Sequence, residues 1–401
     1  MSAAPVVYIY ATASRDGSSS VQQKIISQIQ AARKQNINME GWFFTTDQSD
    51  FPETEGIRWF QVPVVDRGYF RSVKQAAATY LAILNTAVEL LNPQAGVYMR
   101  YWAPGRSLYR LAALLKGRLT FNHVTIEQKE YKLYSPSGGS LASRIFGLSE
   151  FRWWPWLADN TWGRLIRRKA GKGVVNSEEI ADHQRAMALG KYRCVLIPDG
   201  VDAESFPLHH SPALEDEIRM VFLKGAAFEA SYNGLDRLMK GMVAGGNRRK
   251  MKLTVIGSGL DYERSLAEAC GAKEFAEFKD RMSKEELDVE LNRFHLGVGA
   301  LAVHRKGLKS TSSIKNREYM ARGIPFFFAH HDPDFHGNPD TLRYCLVLPG
   351  DETPVNMADL ERFTEGIYAD PKHGSAMHQL AAAYMDYQIK ISQIAAFIHE
   401  S

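Results

Sequence analysis

Three cysteines in 401 residues, Cys194, Cys270 and Cys345, are too few and too widely spaced for a disulfide framework or a paired metal-ligand motif. A reducing, cytoplasmic setting is the expectation. Met1 to Tyr10 has neither a basic leader nor a long apolar core, and no later run approaches membrane-spanning length, so the chain is expected to be soluble or at most peripheral. Low-complexity blocks are missing too, which excludes a largely disordered chain. Charge of one sign is scarcely in excess: 49 Lys and Arg against 45 Asp and Glu leave +4. That balance helps attract small anions or acidic lipid surfaces but does not argue for nucleic acid.

The length exceeds the usual single-core limit, so two domains are expected, each with its own core. Val6-Val7-Tyr8-Ile9-Tyr10 reads as a buried strand, the polar loop Arg15 to Ser20 follows, and Val21 to Lys34 has helical periodicity. Strand patterns at Gly41–Thr45, Trp59–Val64, Gly96–Arg100, Leu119–Thr125, Gly173–Val175 and Cys194–Ile197 alternate with helices at Val73–Leu91 and Ser107–Lys116. Such alternation predicts a mostly parallel sheet. A second alternation begins at Arg219–Leu223 and runs through Lys252–Ile256, Glu274–Phe278, Gly297–Leu301 and Phe326–Ala329. The fold class is therefore α/β, with two Rossmann-like domains facing each other across a cleft. The expected division is 1–198, an interdomain connection at 199–217, and 218–375, with one C-terminal helix over about 376–401 crossing back to the first domain.

The most informative stretch is Lys309 to Pro325. Ser312 or Ser313 is a suitable N-cap, helix formers follow, and Gly323 with Pro325 closes the helix before Phe326-Phe327-Phe328. Unpaired N–H groups and the positive dipole end suit a diphosphate, with Lys309 and Lys315 adding charge. Glu318 lies about 9 Å farther along the axis from Ser312, where a ribose attached to that diphosphate would reach it. The alternative is a solvated helix in which Glu318 pairs with Arg322 at i+4.

Several further landmarks fall in one order: Val175-Asn176-Ser177 with Val195 to Asp202, Tyr232-Asn233-Gly234-Leu235-Asp236-Arg237-Leu238, Leu253 to Gly259, and Phe278 to Leu287. Together they resemble the retaining GT-B glycosyltransferases of family 4, over about residues 170 to 330, while the first 170 match loosely. The resemblance implies transfer of a sugar from a nucleoside diphosphate donor to a glycan or lipid-linked acceptor, plausibly in surface polysaccharide synthesis. It implies no metal, no cofactor and no strong side-chain base. Glu318 aligns with the glutamate that holds the ribose, Arg281 and Met282 with the nucleobase loop, and Gly257 with the turn after the donor domain's next strand; Gly225, in the loop after Arg219–Leu223, is a further donor-binding candidate. Two departures stand out. Ser310 occupies the position of a glutamate that contacts the donor sugar, and Asn233 replaces a lysine that helps neutralise the diphosphate. Arg305, Lys306, Lys309, Lys315 and Lys224 are the substitute cations to consider. The alternatives are a non-catalytic nucleotide-sugar-binding relative or partner subunit, and a GT-B sugar-nucleotide epimerase, which would need acidic groups around the sugar that are not identifiable.

Other candidates are less specific. Gly17 and Ser18, in a strand-to-helix loop, suit an acceptor or phosphate contact or an ordinary turn. His123 stands broadly where the family places a sugar-contacting histidine, and a hydrogen-bonded core histidine is the favoured alternative; His123, Arg305 and Lys309 are the catalytic candidates. Asp332-Pro333-Asp334 reads as a proline turn rather than a metal site. Trp153-Trp154-Pro155-Trp156, Trp162 and the basic run Arg164 to Lys172 form either a dock for an anionic bilayer at the inner membrane face or a buried aromatic cluster beside a solvated basic helix, the second being favoured.

Overall fold

The computed structural model describes residues 4–12, 20–47, 54–65, 71–130, 154–225 and 231–400. The chain forms two compact units: Met1–Ile197 with Tyr387–Ser401, and Pro198–Asp386.

The first unit carries a seven-stranded, all-parallel sheet in the order β3-β2-β1-β4-β5-β6-β7. Its strands are β1 (Val6–Thr12), β2 (Met39–Thr45), β3 (Ile57–Gln61), β4 (Gly96–Arg100), β5 (Leu119–His123), β6 (Lys172–Val175) and β7 (Arg193–Leu196). Parallel strands buried on both faces read as continuous apolar runs. That is what β1 shows: Val7 and Ile9 enter one core with Trp42 and Phe44, while Val6 and Tyr8 enter the opposite one with Phe43 and Tyr98.

The second unit repeats the plan with six parallel strands in the order β10-β9-β8-β11-β12-β13. They are β8 (Glu217–Lys224), β9 (Lys250–Gly257), β10 (Ala276–Lys279), β11 (Leu296–Val298), β12 (Phe326–Phe328) and β13 (Cys345–Val347). The order reverses between β8 and β11. Ligands of open α/β sheets gather at the carboxyl ends of strands beside such a reversal.

The expected single C-terminal helix is two, His373–Tyr384 in the second unit and Tyr387–His399 in the first. A long-range clasp interrupts them: Val201 N–H donates to the Met385 carbonyl at 2.9 Å, and the Asp386 carboxylate accepts from Ala203 N–H at 3.1 Å. The terminal helix then packs on the first sheet, and Lys172 donates to the carbonyls of Ile398 at 2.6 Å and Glu400 at 2.8 Å. A buried ammonium thereby satisfies helix-end carbonyls that have no intrahelical partner. The segment 199–217 likewise belongs to the second unit rather than standing apart. No helix among the described residues is long and apolar enough to cross a membrane.

Candidate functional site

The helix Ile314–Arg322 starts after β11 and delivers the chain to β12, which puts its N-terminus beside the strand reversal. Tyr319 pins it there. Its hydroxyl donates to the Val221 carbonyl at 3.0 Å, and its ring lies so close to Gly297 that a Cβ on that residue would sit 2.6 Å from it. Gly323, at φ +77°, closes the helix in the left-handed conformation that glycine adopts without strain.

Ser313 is the N-cap residue, without a side-chain capping bond. Its own N–H is taken by Asp332 Oδ2 at 3.3 Å, and Ser312 Oγ accepts the Asp199 N–H at 2.8 Å. Both serines therefore build the loop. The next three N–H groups, of Ile314, Lys315 and Asn316, have no acceptor among the described residues and are what the helix start offers an anion.

Asp332 and Asp334 belong to a buried clamp. Arg317, fully enclosed, donates to both Asp332 oxygens at 2.9 and 2.8 Å and to Asp334 at 2.6 Å. The guanidinium holds the Asp332 carboxyl below its usual range against the opposing effect of burial. The proline turn expected at this place is thus also the counter-ion of the helix.

Glu318 is half-buried and makes no hydrogen bond or ion pair among the described residues. Arg322, the partner expected at i+4, pairs instead with Asp288 at 2.5 Å and lies over the Phe206 ring. Burial raises the Glu318 carboxyl, while Arg322 and Lys315 pull it down from a distance. Lys315 stacks 3.6 Å from the Phe222 ring centre, and desolvation pushes its ammonium down to about 7. A carboxylate and a lysine are thus kept poorly compensated within one turn of free N–H donors. Such arrangements cluster at functional sites.

Other expected site residues fall into two groups. Gly257 and Gly225 lie at the carboxyl ends of β9 and β8, with Arg281 and Met282 just beyond β10, all on one edge of the sheet. At Gly257 the backbones of β9 and β8 meet so closely that a Cβ would sit 2.6 Å from the Lys224 carbonyl. Gly234, at φ +66°, starts the helix Leu235–Ala244 against the Ala302 backbone, directly after Asn233. Lys306 stacks on Tyr232 at 3.6 Å, and Lys309 is exposed.

The charges and ring nitrogens of the second group are already engaged. Lys224 is buried against Glu263 at 2.7 Å and the Gly259 carbonyl at 2.5 Å, so its charge is already used. Arg305 chelates Asp236 at 2.8 Å through both terminal nitrogens and also binds Glu352; it fastens the first turn of the helix Leu235–Ala244 to the Glu352 loop, and its charge is already paired. His123 is fully buried, bonded to Glu127 at 3.2 Å and Tyr192 at 3.0 Å. Burial lowers its pKa, so it is a neutral core imidazole inside the network of Tyr101, Asp159 and Arg167, with no atom left for a sugar. Gly17, Ser18, Trp153 and the side chain of Trp154 lie outside the described residues. Trp162 is half-buried against Tyr109, but Trp156 is 47% exposed, so the aromatic cluster is only partly interior.

Sequence reasoning missed a histidine-lined cavity of about 290 Å³ beside the loop that leads into this helix, because its walls join residues between His304 and Lys309 to residues between Ala329 and Gly350. Its only sequence signal was the trio His330, His331 and His336.

With the geometry in place, comparison with solved structures decides the fold. Sucrose-phosphate synthase from Thermosynechococcus elongatus superposes with a TM-score of 0.66 at 16% identity, over 98% of each chain. WaaG, a glycosyltransferase involved in lipopolysaccharide biosynthesis, gives 0.60 at 14% identity, over 99% of this chain and 100% of its own. The fold is GT-B. Anabaena Alr3699/HepE, solved in complex with UDP, gives 0.58 at 12% identity, over 98% of this chain and 99% of its own. No protein-family model and no curated sequence matches the chain. The GT-B likeness therefore rests on shape across nearly the whole chain, at identities that carry the fold alone.

Proposed function

We propose that the protein is a glycosyltransferase that uses a nucleoside diphosphate sugar, with the second unit as its donor-binding half. The carrying observation is Glu318: a half-buried carboxylate without a partner among the described residues, on the helix whose first N–H groups have no acceptor among them either. In this reading the diphosphate sits on the N–H groups of Ile314, Lys315 and Asn316, and Glu318 accepts from the ribose hydroxyls. Alr3699/HepE, of the same fold, was solved with UDP and with UDP-glucose, which supports a donor of that type. Family 4 membership, retention of stereochemistry and independence of metal follow from the sequence resemblance and remain part of the proposal, as does an acceptor of glycan or lipid-linked type. Three unpaired thiols fit a cytoplasmic setting.

A second reading, binding without turnover, is favoured by one observation: the cations offered in place of the missing lysine at Asn233 include Lys224 and Arg305, both already neutralised. Incubating the protein with UDP-glucose, UDP-galactose, UDP-N-acetylglucosamine and GDP-mannose, and following both binding and nucleotide release with an acceptor extract, separates the two. Release with at least one donor supports transfer. Tight binding without release under every condition supports the second reading.

Lys315 makes donor affinity depend on pH. With its pKa at about 7 in the free protein, it is partly neutral at neutral pH; a bound diphosphate favours its charged form, so binding takes up a proton. Affinity for UDP-glucose, whose diphosphate diester does not titrate here, is expected to rise as pH falls from about 8.5 to about 6.5. Calorimetry in two buffers of different ionisation enthalpy measures the uptake. A Lys315→Met variant should lose both the uptake and the slope.

Peripheral membrane contact is proposed for the first unit. Exposed Trp156, Leu157 and Leu165 lie among exposed Arg164 and Arg168, and the adjoining helix Arg106–Leu114 adds Arg106, Arg110 and Leu114. Apolar side chains among guanidinium groups fit an anionic bilayer. The expected result is sedimentation with phosphatidylglycerol vesicles, lost in Trp156→Ala with Arg164→Glu, and no sedimentation with phosphatidylcholine vesicles.

A further inference from the structure

The cavity of about 290 Å³ lies between the loop that leads into the site helix and the carboxyl ends of β12 and β13, wholly inside the second unit. Ser310 ties it to the helix start: Ser310 and His331 form a β-bridge, and Ser310 Oγ meets His331 Nδ1 at 3.2 Å. Its polar walls are His304, His330, His331, His336 and Lys309, over an apolar floor that includes Leu308 and Leu348, and among the described residues no carboxylate lines it.

Each imidazole is tethered through one nitrogen. His330 Nδ1 lies 3.4 Å from the Ala300 carbonyl, His331 Nδ1 meets Ser310, His336 Nδ1 meets the Asp332 carbonyl at 3.0 Å, and His304 Nε2 meets Glu352 at 2.7 Å. The second nitrogen of every ring has no hydrogen-bond partner among the described residues. For His330, only 6% exposed, and for His304 that nitrogen is also buried. A buried polar atom without a partner asks for one.

The tether of His330 fixes its proton. The Ala300 carbonyl only accepts, so the proton of His330 is on Nδ1 and its Nε2 carries a lone pair. Burial keeps His330 neutral by lowering its pKa to about 4. The buried lone pair of His330 calls for a donor and disfavours an anion beside it, and a sugar hydroxyl is a donor of that kind.

We infer that this cavity takes the sugar ring of the donor, reads its hydroxyls with imidazoles rather than with a carboxylate, and accepts an uncharged sugar. The inference rests on the donor site proposed above. The volume is at the lower end of small-ligand pockets, roughly 300 Å³ and above, which suits one sugar ring. Ser310 is then an anchor for His331 rather than a shortened substitute for a missing glutamate.

The test titrates UDP, UDP-glucose and UDP-glucuronate, with GDP and GDP-mannose as a second pair, into the full chain, His330→Phe and His331→Ala. His331 is exposed, so its replacement reads the site even where His330→Phe does not fold. The expected result is that a neutral sugar improves on its bare diphosphate by about tenfold or more, and that both variants lose this gain while keeping the affinity for the bare diphosphate. A gain that survives in both variants overturns the inference, as do a variant that loses the bare diphosphate while folded and a preference for glucuronate over glucose. If no nucleoside diphosphate binds the wild-type protein, the donor reading itself fails and the sugar subsite falls with it.

Discussion

Replacing Glu318 with alanine is expected to weaken binding of UDP, or of whichever nucleoside diphosphate binds, by about 30-fold, equivalent to roughly 2 kcal/mol for lost hydrogen bonds to a charged acceptor. The same variant should be no less stable than the wild type. Glu318 makes no hydrogen bond or ion pair among the described residues, and burial raises its pKa, so folding stabilises nothing through its charge. A carboxylate kept for structure would behave in the opposite way, since its loss would strand a partner. Titration calorimetry and urea unfolding of the same preparation read both quantities. Unchanged affinity would remove the ribose assignment, and a lower unfolding midpoint would show that Glu318 has a structural partner.

Asp332→Ala is expected to show the reverse profile. It strands Arg317, fully buried, with Asp334 as its remaining counter-ion, and breaking a buried pair in this way costs roughly 3–5 kcal/mol. It also frees the Ser313 N–H that the carboxylate now occupies. Replacing Arg317 with methionine in the same chain should restore part of the loss, because the fully buried guanidinium is then gone and the Asp334 carboxylate it leaves behind still has some access to water. The pH dependence has a definite sign. Arginines hold the Asp332 and Asp159 carboxyls below the usual aspartate range, so their contribution is complete above about pH 4 and is lost as pH falls through the lower folded values. Unfolding by urea at pH 5 and at pH 3 measures it, and the wild type should lose more stability over that interval than Asp332→Ala.

The two parallel sheets were legible because strands covered on both faces need no alternation, and runs such as Val6 to Tyr10 and Arg219 to Leu223 advertise this directly. The site helix was legible for a local reason as well, since its serines, Gly323 and Pro325 are all neighbours in sequence. What escaped was set by distant partners. The C-terminal pattern is helical on both sides of Met385 and breaks only because Asp386 and Met385 bond to Ala203 and Val201. Basic residues look alike in sequence, yet Lys224 is spent on Glu263 and Arg305 on Asp236 and Glu352, whereas Lys315 rests on an aromatic ring without an ion-pair partner among the described residues. The histidine-lined cavity was invisible for the same reason: His304 and His330 approach only when the loop before the helix lies alongside the carboxyl end of β12.

In the proposed donor site the amino end of the helix Ile314–Arg322 receives a diphosphate. Amide hydrogen exchange of the full chain, with and without saturating UDP, examines that place directly. Slower exchange at Ile314, Lys315 and Asn316 on adding UDP is the predicted result; unchanged exchange at all three, with UDP bound and protection appearing elsewhere, would contradict it.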